Sequence, residues 1–258
     1  MKVAIIGAGP SGLMAAWATV NLGHSVTLFD KNPEVATKNH GVFYLHEDCG
    51  LNVREQQTFT SHLPRHWSEA RARVTYAEKV YGNPEQPVSF HRGLERVYHA
   101  GDAVTQLKTL FRENICEREF TELGKVLDLG AFYDRVIVTI PARVLLKGDF
   151  QSRPILVRHR PVPMSNFGYV WYNAGEQDWT RVSQVFETQA TEKLVPPEVS
   201  LWRFFKSQGY VQVHKVITAD RKLWEGVPEQ VLWTGRYGAW DKSMLTHTVY
   251  TDILGRLR

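Results

Sequence analysis

Residues 2–6, KVAII, are apolar apart from the leading lysine and stop at a glycine. An uninterrupted apolar run of this length predicts a strand buried on both faces, as parallel strands are. Residues 13–22, LMAAWATVNL, are rich in helix formers and apolar nearly all round. That predicts a helix buried on more than one side. Residues 25–29, SVTLF, make a second strand. Near the other end, 231–233 (VLW) is a short strand, and Leu245, Val249, Ile253 and Leu257 recur every fourth residue, which predicts a helix. Asp241, ahead of it, is placed to cap that helix. Ala103, Val104, Leu107, Leu110 and Phe111 show helical spacing as well. Between these parts the pattern changes to alternation: PILVRHR (154–160) and YVQVHKVI (210–217) read as strands with one polar face. FGYVWY (167–172) puts Phe167, Tyr169 and Trp171 on one face of a strand, and DWTRVSQVFE (178–187) does the same for Trp179, Arg181 and Ser183.

Composition narrows the class. The chain has 258 residues, 43% hydrophobic and 22% charged, enough for one large domain or two interleaved smaller ones. No apolar run reaches 18 residues, so no membrane span is expected. The N-terminus runs straight into a glycine motif and has no separate apolar segment, so no signal peptide is expected. Cys49 and Cys116 stand far apart without CxxC spacing, which points to a reducing compartment, the cytoplasm, and to no zinc site. His62 and His66 are four apart, but Pro64 between them argues against a helical metal pair. The net charge of +4 permits an anionic partner, a nucleotide or DNA, without requiring one. The charge is uneven: Arg143, Lys147, Arg153, Arg158 and Arg160 face Asp149 alone between positions 142 and 160. Basic charge beside a stacking strand suits a base or a single strand; a solvated basic edge on a half-buried strand is the plainer reading.

The candidate chemistry sits in the first turn. Residues 7–12 read GAGPSG between the first strand and the first helix, and Asp30 closes the second strand 18 residues after Gly12. In that context Gly7 permits the tight turn, Gly9 lets the backbone approach a pyrophosphate, and Gly12 lets helix and strand pack closely. The helix N-terminus, opening at Pro10 and Ser11, turns free N–H groups toward the phosphates. Asp30, followed by Lys31, is placed to accept hydrogen bonds from a ribose diol. A second strand–turn–helix, VLWTGRYGAWDKSM (231–244), can direct its helix toward a flavin edge.

Together GAGPSG and TGRYGAW resemble the paired FAD motifs of the flavoproteins that include amine oxidases and UDP-galactopyranose mutase. The resemblance implies FAD as cofactor, with Gly235, Arg236 and Trp240 of the late motif beside it. YDRVIVTIPA (133–142) is similar to the family's strand ending in a proline next to the cofactor, here Pro141. GVFYLHED (41–48) resembles a loop against the flavin and implies a role for His46. TYAEKVYGNP (75–84) and DWTRVSQVFE resemble parts of the substrate cleft and imply Tyr76, Lys79 and Arg181 as substrate residues, Arg181 facing an anionic group. The tyrosine-bearing UDP segment of the mutases has no counterpart in QPVSFHRGLERVYHAGDAVTQLKTLF (86–111). In size and frame the chain also resembles compact bacteriophage flavoproteins such as the α-glycinyl-thymidine oxidases of thymine hypermodification.

The expected architecture is α/β. A Rossmann-like FAD-binding domain of glutathione-reductase type (1–41, 96–150, 228–258) is interleaved with a smaller, mostly antiparallel β substrate domain (42–95, 151–227), the flavin lying where they meet. The first functional expectation is oxidation of an amine or amino-acid group, most specifically the glycine unit of glycinyl-thymidine in phage DNA. The others are a mutase-like non-redox reaction on a nucleotide sugar and FAD binding without turnover. The partner is thus a small-molecule or nucleobase-linked amine, with DNA as a further candidate and no membrane.

Overall fold

The computed structural model describes residues 1–33, 44–88, 90, 93–196 and 198–258, without the side chains of 199–202. Gly41, Val42 and Phe43 of the expected flavin loop lie outside the described residues. In chain order the elements begin β1 (Lys2–Ile6), α1 (Pro10–Asn21), β2 (Ser25–Asp30), β3 (Tyr44–Leu45), β4 (Glu55–Leu63) and α2 (Glu69–Tyr81). They continue β5 (Gly93–His99), α3 (Ala100–Leu110), β6 (Ile115–Glu117), α4 (Leu123–Leu127), β7 (Arg135–Val138), β8 (Phe150–Pro161) and β9 (Phe167–Asn173). The last are β10 (Trp179–Val185), β11 (Thr188–Leu194), α5 (Val199–Ser207), β12 (Val211–Ala219), β13 (Val231–Trp233) and α6 (Thr246–Leu257).

The chain divides into two compact units, each assembled from separated stretches. The first takes Met1–Asn52, Ala100–Gln151 and Thr218–Arg258. Its five strands lie in the order β13-β7-β1-β2-β6, and every pairing is parallel. The apolar runs are continuous because both faces are covered. One face presents Ala4, Ile6, Val136, Val138, Val231 and Trp233 to a cluster with Phe29, Phe120 and Leu145. On the other lies α1, whose Leu13, Met14, Ala15, Ala16 and Ala18 are all buried and which packs against α6. The four-residue spacing near the C-terminus is explained there: Val249, Ile253 and Leu257 are buried apolar positions of α6. Asp241 does not cap that helix. It accepts hydrogen bonds from Ser243 N and Ser243 Oγ in a local turn, and α6 starts at Thr246 with no side-chain cap. The turn consumes the carboxylate four residues too early.

The second unit takes Val53–His99 and Ser152–Ile217. Its described strands run β12-β8-β11-β10-β9-β4-β5. The pairs β8–β11, β11–β10, β10–β9 and β4–β5 are antiparallel, and β4–β9 is parallel. Helix α2 has Ser68 as N-cap, accepting from Arg71 N, and ends at Gly82 in the left-handed region (φ 71°). Its Ala72, Tyr76, Val80 and Tyr81 form a cluster with Phe90 and Ala174.

Candidate functional site

The first unit brings both glycine motifs to one place. Gly7 has φ +102°, and a Cβ on it would lie 2.6 Å from Thr139 Oγ1. A Cβ on Gly12 would lie 1.7 Å from the Gly7 carbonyl oxygen, so helix and turn meet in direct backbone contact. Gly9 differs: among the described residues a Cβ there would meet nothing within 4 Å, and its backbone (φ −71°, ψ −179°) is extended. The Gly9 position thus fronts open space at the start of α1, where the helix has Pro10 in its first turn and no side-chain cap. Ser11 in that first turn is backed by Gly235 (φ +76°), whose Cβ would fall 2.8 Å from Ser11 Oγ. Gly238 is tighter still, with a Cβ at 2.3 Å from Thr234 O and 2.6 Å from Val138 O. The late motif is therefore wedged between the N-terminus of α1 and the end of β7.

Polar contacts fix this turn. Asp30 Oδ2 accepts from Ala8 N at 2.7 Å, and Asp30 Oδ1 accepts from Asn32 N at 2.9 Å. A carboxylate has about four acceptor positions, so both oxygens keep capacity toward a hydroxyl. Thr139 Oγ1 donates to Ile6 O at 2.9 Å and ties β7 to β1 beside Gly7. Ala142, just after Pro141, donates its amide to Tyr237 O at 2.9 Å, which links the proline-ended strand to the late motif. Arg236 is half-buried, and among the described residues its buried Nε has no hydrogen-bond partner. A buried guanidinium N–H without an acceptor is costly unless an anionic group satisfies it. An uncapped helix N-terminus, open space at Gly9 and that donor form a cradle suited to a diphosphate. Lys31 stands apart, exposed and 3.4 Å from Glu119.

We expect Asp30→Ala to weaken cofactor retention roughly ten-fold or more and to loosen the turn, because two amides lose a charged acceptor worth about 1.5–3 kcal/mol each at most. Flavin release on dilution, followed by fluorescence, measures it; retention equal to wild type would remove Asp30 from the site.

Trp240 takes a different role from the one its motif implies. It is 2% exposed at φ 48°, and its Nε1 donates to Gln151 O and Thr218 O. Its ring meets Phe150 at 5.0 Å and Tyr237 at 6.2 Å. It is a core post whose indole N–H and ring join three stretches of the chain. His46 is half-buried, its ring 5.2 Å from those of Tyr44 and His247. Nearby Cys49 is buried: burial, aided by Glu47 and Asp48, pushes its thiol up to about 12, away from the thiolate.

In the second unit the expected substrate residues are engaged with the protein. Tyr76 is 2% exposed, edge-on to Phe90 and Tyr172, and burial followed by the charge of Glu192 holds its hydroxyl well above the usual phenol range. Lys79 Nζ donates to three carbonyls, Asn173 O at 3.1 Å, Gly175 O at 2.8 Å and Trp179 O at 2.8 Å. Its three protons are thereby used, and α2 is pinned to the β9–β10 loop. Substrate contact by Tyr76 or Lys79 does not fit this geometry. Arg181 pairs with Glu192, whose other oxygen takes Lys215 at 2.8 Å. The register sets a continuous row: Glu192 lies opposite Arg181, Arg181 opposite Tyr172, and Tyr172 opposite His62. A register shift between Trp179 and Arg181 breaks the simple alternation expected for β10. Thr139, Glu192 and Lys215 were not singled out from sequence. Lys215 was a charge inside the YVQVHKVI alternation, while Glu192 lies in a stretch for which no strand was predicted.

Burial pushes the Lys79 ammonium down to about 8, against a smaller upward pull from Asp178. A lysine whose folded pKa lies below the unfolded one holds fewer protons when folded. Its contribution to stability therefore improves as pH rises from about 8 toward 10.5. We expect the stability gap between wild type and Lys79→Met, from urea melts, to widen in favour of wild type across that window. A constant gap would show that Lys79 titrates normally.

The comparisons with known proteins agree with this frame. A family model described as an NAD(P)-binding Rossmann-like domain matches residues 5–65. No curated protein matches the chain. Among solved structures, an oxidoreductase from Methanosarcina mazei is 12% identical, with all of both chains covered and a TM-score of 0.60. A reduced UDP-galactopyranose mutase is 13% identical over 99% of this chain and 94% of its own, with a TM-score of 0.56. CtdE in complex with FAD is 13% identical over 98% of this chain and 82% of its own, also with a TM-score of 0.56. At these identities the likeness is one of fold: a Rossmann-like parallel sheet combined with a mostly antiparallel one, as in these oxidoreductase-type proteins. Among the described residues no helix is long and apolar enough to cross a membrane.

Proposed function

We propose that this chain is an FAD-dependent oxidoreductase that oxidises an amine. One observation carries the cofactor: Gly235 backs directly on Ser11, so that the Arg236 side chain, with its unsatisfied buried Nε, belongs to the same turn as the uncapped helix. A single Rossmann turn would serve many nucleotides. A second motif closing on it supplies a further positive group for a diphosphate, and the neighbour crystallised with FAD supports that choice.

The chain's own residues divide the work. Gly7 and Gly12 let turn and helix meet, and Gly9 leaves the space the phosphates fill. The α1 N-terminus and Arg236 offset phosphate charge, and Asp30 holds the turn while accepting from the ribose. Pro141 closes the strand that Ala142 ties to the late motif. When bound, FAD supplies the acceptor for a hydride leaving the carbon beside the amine nitrogen. Such chemistry asks for a neutral amine in a dry site and needs no dedicated protein base.

The specific amine we favour is a glycine unit carried on a thymidine base, on the strength of the compact frame. The competing reading, a non-redox reaction on a nucleotide sugar, needs side chains free to clamp a diphosphate. Lys79 and Arg181 are the candidates, and both are engaged inside the protein. That favours the redox reading. The test is direct. Purified protein should be yellow and release FAD on denaturation, and anaerobic addition of glycinylated thymidine or a simpler amine should bleach it. A protein that cannot be loaded with FAD would overturn the cofactor. Turnover of a UDP-sugar seen only after dithionite reduction would replace the oxidation.

A further inference from the structure

We infer that the outer face of the second unit's sheet, centred on Tyr169 and Trp171, binds single-stranded DNA. The register places its residues. Leu94 lies opposite Phe59, Phe59 opposite Tyr169, Tyr169 opposite Gln184, and Gln184 opposite Gln189, which lies opposite Arg160. The next row runs Ser61, Trp171, Val182, Thr191, Arg158. Side chains alternate across a strand, so these rows share the face opposite the Glu192–Arg181–Tyr172–His62 row that α2 covers.

The face carries large apolar groups in the open. Phe59 is 45% exposed, Leu94 61% and Phe167 60%. The Tyr169 and Trp171 rings lie side by side, centroids 4.9 Å apart and tilted by 34°. Along the strand their Cα atoms are about 6.8 Å apart, a step suited to successive unstacked bases. Positive charge flanks the rings. Arg65 sits over the Trp171 ring at 6.0 Å, Arg160 is exposed at the far end of the first row, and Arg158 ends the second. The carboxylates bordering the face are paired, Glu55 with Arg96 at 3.4 Å and Asp178 with Lys193 at 2.8 Å.

A second copy of the chain is the poorer occupant, because stacking two such faces sets arginine against arginine. A polyanion with π-faces uses both properties at once: phosphates meet the arginines and bases stack on the rings. DNA is the strand proposed, in line with the nucleobase-linked substrate favoured above, and the oligo-U arm tests that choice. The Gln184 amide donates to Pro163 O and the Gln189 amide to the Tyr169 hydroxyl. The proposal does not depend on the flavin, so its failure would leave the cofactor reading untouched.

The experiment is fluorescence anisotropy of a labelled oligo-dT of about 12 nucleotides with the full flavin-loaded chain at low salt, alongside oligo-U and duplex arms. We expect oligo-dT to bind most tightly, Trp171→Ala and Phe59→Ala to weaken it about ten-fold each, and Trp171→Phe to retain most of the affinity. The Arg65→Gln/Arg160→Gln pair should reduce the salt dependence of log K by roughly 1.4, at about 0.7 per phosphate contact. Flavin content and melting temperature in the same samples report folding. Absence of oligo-dT binding, equal binding by Trp171→Ala and Phe59→Ala, oligo-U or duplex bound as tightly, or a Trp171-dependent dimer in sedimentation would each overturn the proposal.

Discussion

Gly9→Val is expected to fold normally and to emerge colourless. Position 9 has an extended backbone that a β-branched residue adopts without strain, and among the described residues a Cβ placed there meets no heavy atom within 4 Å. The protein leaves room for a side chain to start at this point. What it displaces is the diphosphate, which must approach the backbone at this point. Retention of FAD should fall at least about a hundred-fold, equivalent to roughly 2.7 kcal/mol, with stability of the cofactor-free form within about 0.5 kcal/mol of wild type. Gly12→Ala is the contrasting variant. Its methyl would sit 1.7 Å from the Gly7 carbonyl oxygen, so the helix must move and the fold itself should suffer. Flavin absorbance after purification and a urea melt of each apo form separate the two. A yellow Gly9→Val protein would mean the cofactor binds elsewhere.

Glu192→Gln should be among the most destabilising single changes in the second unit. Glu192 is 3% exposed and balances Arg181 and Lys215, whose side chains are each 16% exposed. Removing its charge takes the shared counter-charge of this pair away from two half-buried cations. Breaking a buried pair from one side typically costs about 3–5 kcal/mol. A simultaneous Arg181→Met, Glu192→Leu, Lys215→Met replacement removes all three charges and should return close to wild-type stability by the same reasoning. Urea midpoints read both. If Glu192→Gln melts like wild type, the row is solvated and Arg181 becomes available to a substrate again. If the triple variant is folded and yellow but turns over normally, the row has no part in catalysis.

What could be read from the sequence followed the range of the forces involved. The β1–α1–β2 start was legible because GAGPSG, the flanking apolar runs and Asp30 are contiguous and each has one steric or hydrogen-bonding task. The spacing of Val249, Ile253 and Leu257 announced α6 for the same reason. The packing of Trp240 was not legible, because its side chain turns inward to Phe150 and two distant carbonyls. Lys79 looked like a clamp for a ligand because a lysine's partners are invisible when they are backbone carbonyls 94 or more residues away. Arg181 in isolation suggested an anion from outside. Its anion is supplied across the sheet by a glutamate that no local pattern marks, since cross-strand register emerges only on folding.

The wedge of Gly235 against Ser11 also sets the timing of assembly. The ribosome makes the first glycine turn early, yet the late motif follows it by more than two hundred residues. At about 5–20 residues per second, roughly 10–45 s separate the two. Through that interval the nascent chain has the turn and β2 but lacks Arg236, the edge strand β13, and the α6 surface on which α1 rests. On the role proposed for Arg236, tight cofactor capture waits until the late motif has emerged, and a ribosome stalled before residue 235 is expected to carry a chain that does not retain flavin.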